Sequence, residues 1–382
     1  MKILKKLGII TMALLMVVST GFYVSGCGKK DYNKIELNEV THSIFYAPLY
    51  VAINNGYFKD EGLTVNLTNG GGSDTSMSAL LTGSADIILA GPETVVYTQQ
   101  EGIKDSPVVF GQLTACDGSF IVSKEENPNF KLQDLVGETI IGGRKGGLPA
   151  MTLQYIIEKN GFEIGTGAGK INLRTDVAFN LTASVWDGDA SIKYCTLFEP
   201  TATNVANQSN GHIVASLGEL SGRIPYTCFA TKGSYLKKHG DVAEKFLRAV
   251  AKGYNYITTN TAEKVAQSLL PSFTGNTVEE LAIAVRQYVA INAWSNDMIL
   301  TQESFENLMN VMLNAQVISQ RADWSKVVDN TIATKIKTTA WSNRKLNFIQ
   351  IINQKIKRAK NALFILNFYF LKFWLFQILS KF

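Results

Sequence analysis

Between residues 35 and 100 the chain repeats one unit three times: a short apolar run, a loop of Gly, Ser, Thr or Asn, then a helix-length amphipathic run. No other feature constrains the fold as much. The first unit is a strand over 35–40, a loop over 41–47 and a helix opening at Pro48. A proline costs nothing there, because the first turn of a helix leaves its N–H groups unpaired anyway. The second unit is a strand over 63–67, the loop Asn69-Gly70-Gly71-Gly72-Ser73-Asp74 and a helix over 75–81. The third is a strand over 86–89, with Gly91-Pro92-Glu93-Thr94 opening a helix. Such alternation predicts an α/β protein with parallel sheets. In open sheets of that kind, ligands bind outside the carboxyl ends of the strands. The helix N-termini there offer free N–H groups and a partial positive charge. Any one of these loops reads equally well as a cap and tight turn; three in succession predict a donor-rich edge.

A second series begins near Ser119. Strands are expected over 120–123 and 138–141, then the glycine loop Gly142-Gly143-Arg144-Lys145-Gly146-Gly147-Leu148-Pro149 and a helix over 150–159. Further strands follow over 172–175, 192–196 and 212–216. Pro225-Tyr226-Thr227 opens an apolar strand leading back toward the first unit, and helices over 233–258, 277–290 and 301–315 close the globular part. The expectation is two α/β lobes joined by at least two crossings, with a ligand cleft between them. Lobe 1 takes residues 28–118 and 229–336, lobe 2 takes 119–228, and 337–382 stand outside the fold.

At 46% hydrophobic and 18% charged residues the composition is globular. The formal charge of +5 misleads about the body. From residue 330 onward there are ten Lys or Arg and no Asp or Glu, so residues 1–329 carry 27 basic against 32 acidic side chains. An acidic body argues against a nucleic-acid partner, which needs clustered Lys and Arg. Lys2, Lys5 and Lys6 precede an apolar stretch over 7–24, the pattern of a secretory signal. It ends in Val24-Ser25-Gly26-Cys27, similar to a bacterial lipobox. Cleavage before Cys27 and acylation of its thiol and new amine would supply more than one chain, as stable anchoring requires. The other reading is an uncleaved membrane helix. The expected location is the outer face of the cell membrane.

Chemistry is sparse. Cys116, Cys195 and Cys228 lie among small or apolar residues and read as buried free thiols, and His42, His212 and His239 are too scattered to pair on a metal. No metal or cofactor is expected. Gly165-Thr166-Gly167-Ala168-Gly169-Lys170 imitates a phosphate loop, but Ile164 stands where the first glycine belongs and Ile171 where Ser or Thr must hold magnesium. Motifs for nucleophilic or zinc hydrolysis are absent.

Several stretches are more specific. Phe45-Tyr46-Ala47-Pro48-Leu49-Tyr50-Val51-Ala52 and Asn55-Gly56-Tyr57-Phe58-Lys59-Asp60-Glu61-Gly62-Leu63 resemble the opening of substrate-binding proteins of bacterial ABC importers. The subgroup is that of nitrate, sulfonate, taurine and thiamine-pyrimidine binders. Ala79-Leu80-Leu81-Thr82-Gly83-Ser84-Ala85-Asp86-Ile87, Asp134-Leu135-Val136-Gly137-Glu138-Thr139-Ile140 and Leu197-Phe198-Glu199-Pro200-Thr201-Ala202 are similar to later motifs of the same family. The resemblance spans roughly residues 35–335. It implies the two-lobed periplasmic-binding-protein fold of the second topological type, closing on a small solute. It also implies an ABC permease with its ATPase as partner and a monomer tethered by lipid. Carried over by position, it puts ligand contacts at Ser43, Tyr46, Gly72, Ser73, Asp74, Glu93, Thr94, Arg144, Gly146, Gly147, Glu199 and Tyr226.

Ser73 and Thr94 suit donors or acceptors at helix starts, Arg144 a bidentate anion contact, and Tyr46 and Tyr226 the faces of a flat ring. Asp74, Glu93 and Glu199 suit amines or hydroxyls and tilt the expectation toward a heterocyclic or amine-bearing solute. Glu199 reads equally as a helix cap before Pro200. Two other functions remain open at this stage. The same fold family includes a eukaryotic pyrimidine synthase that consumes its own histidine and binds pyridoxal phosphate on a lysine. Its cysteine-rich iron motif is absent here, although His42 lies in a comparable loop. The other alternative is a surface lipoprotein that binds nothing. The resemblance ends near Ile336. In residues 345–382, 30 of 38 are Phe, Ile, Lys, Asn, Tyr or Leu, which reads as translated A/T-rich DNA after a frameshift or lost stop codon, with a membrane-surface helix as the competing account.

Overall fold

The computed structural model describes residues 31–208 and 211–337; Cys27 with the leader, and the tail from residue 338 onward, lie outside the described residues. Two five-stranded sheets organise the chain. The first holds β1 (Lys34–Glu39), β2 (Thr64–Asn69), β3 (Ile87–Ala90), β4 (Pro107–Thr114) and β10 (Thr227–Lys232) in the order β2-β1-β3-β10-β4. The second holds β5 (Ser119–Ser123), β6 (Thr139–Ile141), β7 (Asn172–Arg174), β8 (Tyr194–Phe198) and β9 (His212–Ser216) in the order β7-β6-β8-β5-β9.

Neither sheet is wholly parallel, which corrects the expectation from sequence. In the first, β1 runs parallel to β2 and β3, while β10 is antiparallel to both β3 and β4. In the second, β6 is parallel to β7 and β8, while β5 is antiparallel to β8 and β9. The reason lies in the two crossings. The parallel strands of each sheet end toward the other sheet. A chain that leaves β4 at that edge therefore enters the second sheet from the same side, and its first strand there, β5, must run outward. β10 does the same on the way back. The parallel units are where helices return the chain, and the antiparallel strands are where it changes sheets.

Nine helices of eight residues or more occur among the described residues: α1 (Ala47–Asn54), α2 (Ser73–Thr82), α3 (Glu93–Gln100), α4 (Leu148–Lys159), α5 (Thr201–Gln208), α6 (Gly240–Thr259), α7 (Ala262–Leu269), α8 (Val278–Ala290) and α9 (Gln302–Asn314). Pro48 sits in the first turn of α1, as expected. The single helix anticipated over 233–258 is two, Gly233–Lys238 and α6, separated at His239. Residues 107–114 and 262–269 were not anticipated as elements. β4 carries a glycine mid-run and leads into the other sheet rather than a helix, so it lacks the signature that marks the other units.

α8 starts with a reciprocal capping box: Glu280 N donates to Thr277 Oγ1 at 3.3 Å, and Thr277 N donates to Glu280 Oε2 at 2.9 Å. α6 packs along α1 so closely that a Cβ on Gly253 would lie 2.0 Å from the Pro48 carbonyl oxygen. The central strand β3 is wholly buried, as a strand covered on both faces should be. Cys116, Cys195 and Cys228 are buried and unpaired. No described helix is long and apolar enough to cross a membrane.

Candidate functional site

A cavity of about 680 Å³ opens where the strand ends of the two sheets face one another. From the first sheet its wall takes Tyr46 after β1, Gly72, Ser73 and Asp74 after β2, and Glu93 and Thr94 after β3. From the second it takes Arg144, Gly146 and Gly147 after β6. Tyr226 closes it from the return crossing. Gly146 has φ of +80°, a left-handed conformation that glycine adopts without steric cost, and it turns the loop toward α4.

Glu93 is the one carboxylate buried in this wall, at 1% exposure. It stands in the first turn of α3, yet its Oε2 has no hydrogen-bond partner. Burial pushes its pKa up to about 7, tempered by its own backbone N–H and by Ser73 beside it. The hydroxyls of Tyr46 and Tyr226 are also buried without a well-formed hydrogen bond; Tyr46 stands beside Thr227, and Tyr226 beside Asp117 and Ser119. Asp117 is fully buried at the β4–β5 crossing. It accepts from Ser119 N at 2.7 Å, and burial raises its pKa to about 6. One side of the cavity is aromatic: Phe179 packs on Phe198 at 4.6 Å between centroids, and Phe198 on Tyr226 at 6.1 Å.

Two contacts span the cavity between the loops of different sheets. Arg144 Nη2 donates to Asp74 Oδ2 in an exposed ion pair, so the guanidinium expected to hold an anion already has a carboxylate. Tyr97, on α3, donates from its hydroxyl to the Gly146 carbonyl at 3.1 Å. Tyr97 was not anticipated, nor were Met77, Lys145, Phe179, Asn180 and Phe198, which also line the cavity. For Tyr97, the signal available was its position one helical turn after Glu93 on the same helix.

Two expected contacts do not line the cavity. Ser43 Oγ donates to the Glu199 carbonyl at 2.5 Å and accepts from Phe45 N at 3.1 Å, fastening the β1 loop to the end of β8. The Glu199 carboxylate accepts from Thr203 N at 3.0 Å and Thr203 Oγ1 at 2.8 Å, and so caps α5. Both residues are occupied with each other and with local backbone, which corrects their assignment as ligand contacts. The helix-cap reading of Glu199 describes what its carboxylate does.

A model of the NMT1/THI5-like family matches residues 44–264. A Bacillus subtilis (strain 168) protein named "Putative binding protein YtlA" is 35% identical over 316 residues, which is 82% of this chain and 93% of that protein. The chain belongs to the NMT1/THI5-like family. A second relative is the formylaminopyrimidine-binding protein of Halalkalibacterium halodurans. It is 26% identical over 219 residues, covering 56% of this chain and 63% of the relative. Among solved structures, the alkanesulfonate-binding protein SsuA from Xanthomonas axonopodis pv. citri superimposes with a TM-score of 0.61 at 12% identity, covering 78% of this chain and 99% of SsuA. The family's fold, two α/β sheets of the periplasmic-binding-protein type, is therefore the fold of this chain.

His42 bears on the catalytic alternative within the fold family. Its Nδ1 meets Glu39 Oε1 at 2.8 Å, its Nε2 meets the Ser272 carbonyl at 2.7 Å, and its ring packs on Phe273 at 4.5 Å. The Glu39 hydrogen bond raises its pKa. The ring is thus engaged between β1 and the turn after α7, and it is not part of the cavity wall.

Proposed function

We propose that this chain is the solute-binding component of an ABC importer, anchored through lipid on Cys27 and delivering a small solute to a permease and its ATPase. The observation that carries the reading is the cavity itself, walled by the strand-end loops of both sheets. A solute held there touches both halves at once. It therefore stabilises the closed arrangement by as much as it binds that arrangement more tightly than the open one. The lobes meant are residues 28–118 with 229–336, and 119–228, hinged at the two crossings. The names of the relatives support the reading, since one is named as a binding protein and another for the formylaminopyrimidine it binds.

The solute is a pyrimidine thiamine precursor or one of the sulfonate, nitrate and taurine type. Thermal unfolding of the full chain against a panel of these solutes tests the function. A ligand present at one hundred times its Kd adds about 2.7 kcal/mol, a shift of a few degrees for a chain of this size. A stabilising response to one chemical class is the expected result. A folded chain that responds to none of them refutes the proposal.

A further inference from the structure

Five carboxyl or basic side chains line the cavity, Asp74, Glu93, Glu101, Arg144 and Lys145, together with three tyrosines, Tyr46, Tyr97 and Tyr226. Four of the five are exposed or partly exposed, and of those Asp74 and Arg144 neutralise one another across the mouth. Of the five only Glu93 is buried, and one of its oxygens lacks a partner. Its placement is exact to the backbone. A Cβ at Gly91 would lie 1.9 Å from Glu93 Oε2, so the carboxyl folds back over a position that only glycine leaves empty. Tyr46, Tyr97 and Tyr226 stand near it, and the same cavity wall includes the apolar Met77, Leu81 and Phe198. A lone acid in such surroundings repels a buried anion and gains most from a charge-assisted hydrogen bond to a cation.

Resting on the binding reading above, we propose that Glu93 makes the inner end of this cavity a receptor for an organic cation, a protonated amine or amidinium on an apolar or aromatic body. Gly91 positions the carboxylate, and Asp74 holds Arg144 so that the mouth does not select anions. The groups facing Glu93 are Ser73 on α2, Tyr46 in the β1 loop, Tyr97 on α3, and Tyr226 and Cys228 at the start of β10. Burial raises the pKa of each of these tyrosines and of Cys228, so all stay neutral up to pH 8 and Glu93 alone titrates among them. Cation binding then draws Glu93 to its carboxylate form and releases a proton.

Three probes of one size separate charge from shape: benzamidine, benzamide and benzoate. Calorimetry and thermal unfolding of the full chain should show benzamidine binding about tenfold tighter than benzamide or more, as expected for a charge-assisted contact, with benzoate inert. Benzamidine affinity should rise between pH 5.5 and pH 8. Glu93→Gln should bring benzamidine down to the level of benzamide and remove the pH dependence. Gly91→Ala, which displaces the carboxyl without removing it, should weaken the same preference and serves if Glu93→Gln does not fold. Benzoate binding as tightly as benzamidine, or a cation preference that survives in both variants, overturns the proposal. So does a flat benzamidine response. If the solute panel still yields a ligand, the charge assignment falls alone; if the panel is flat as well, the binding reading falls with it.

Discussion

Glu93 illustrates how one side chain can trade stability for a site. Its folded pKa of about 7 lies above the ordinary 4.5, so the folded chain holds a proton there that the unfolded chain gives up. Its contribution to stability is fullest below pH 4.5 and is lost as pH rises toward 7. The difference is on the order of 3 kcal/mol. Glu93→Gln should therefore leave stability little changed at pH 4.5 and raise it by about 2–3 kcal/mol at pH 8, read from urea unfolding at the two pH values. Asp117 and Glu199 are raised for the same reason and keep some pH dependence in the variant, so the slope should shrink without vanishing. An equal stability gain at both pH values would mean that the effect is not ionic. At this scale the sequence was informative about residue type and position. Gly72, Ser73, Asp74, Glu93, Thr94, Arg144, Gly146 and Gly147 all stand in loops that it marked, and all face the cavity. What it could not show was which of the acids stood alone.

Among the elements, α5 separates a structural carboxylate from a cavity-facing one. Glu199 spends both oxygens on Thr203, at the start of a helix that would otherwise leave its N–H groups unpaired. Glu199→Ala should cost about 1–2 kcal/mol at pH 6, the range of a lost cap with its hydrogen bonds. The response to ligand should not move, because the residue stands outside the cavity wall. Loss of ligand-induced stabilisation in a variant that still folds would return Glu199 to the site. Sequence spacing left cap and contact equal because both put a carboxylate before Pro200; only the position of Thr203 decides between them. Elements were most legible where an apolar run met a glycine loop and then a helix. β4 was not, since it hands the chain directly to the other sheet.

At the scale of the whole molecule, two light contacts meet across the cavity, beside the Ser43–Glu199 hydrogen bond that also joins the two sheets. An exposed ion pair such as Asp74–Arg144 is worth at most about 1 kcal/mol, and the Tyr97–Gly146 hydrogen bond is worth about as much. On the proposed function, contacts this weak would leave a solute able to govern opening. Asp74→Asn combined with Tyr97→Phe should increase the radius of gyration of the ligand-free chain in small-angle scattering and weaken ligand binding, with the unfolding midpoint nearly unchanged. An unaltered radius would show that neither contact holds the arrangement.

The sequence by itself determined the α/β class and the glycine-rich strand ends, which follow from local periodicity and loop chemistry, and its resemblance to a family pointed to ten of the residues in the cavity wall. Only the tertiary structure decided which strands run antiparallel, since the sides from which the crossings enter each sheet set their direction. Tertiary packing also turned Ser43 and Glu199 toward each other, gave Arg144 to Asp74 and left Glu93 Oε2 without a hydrogen-bond partner. Pairing between residues 70 or 156 positions apart depends on how two sheets meet, and no local pattern encodes that.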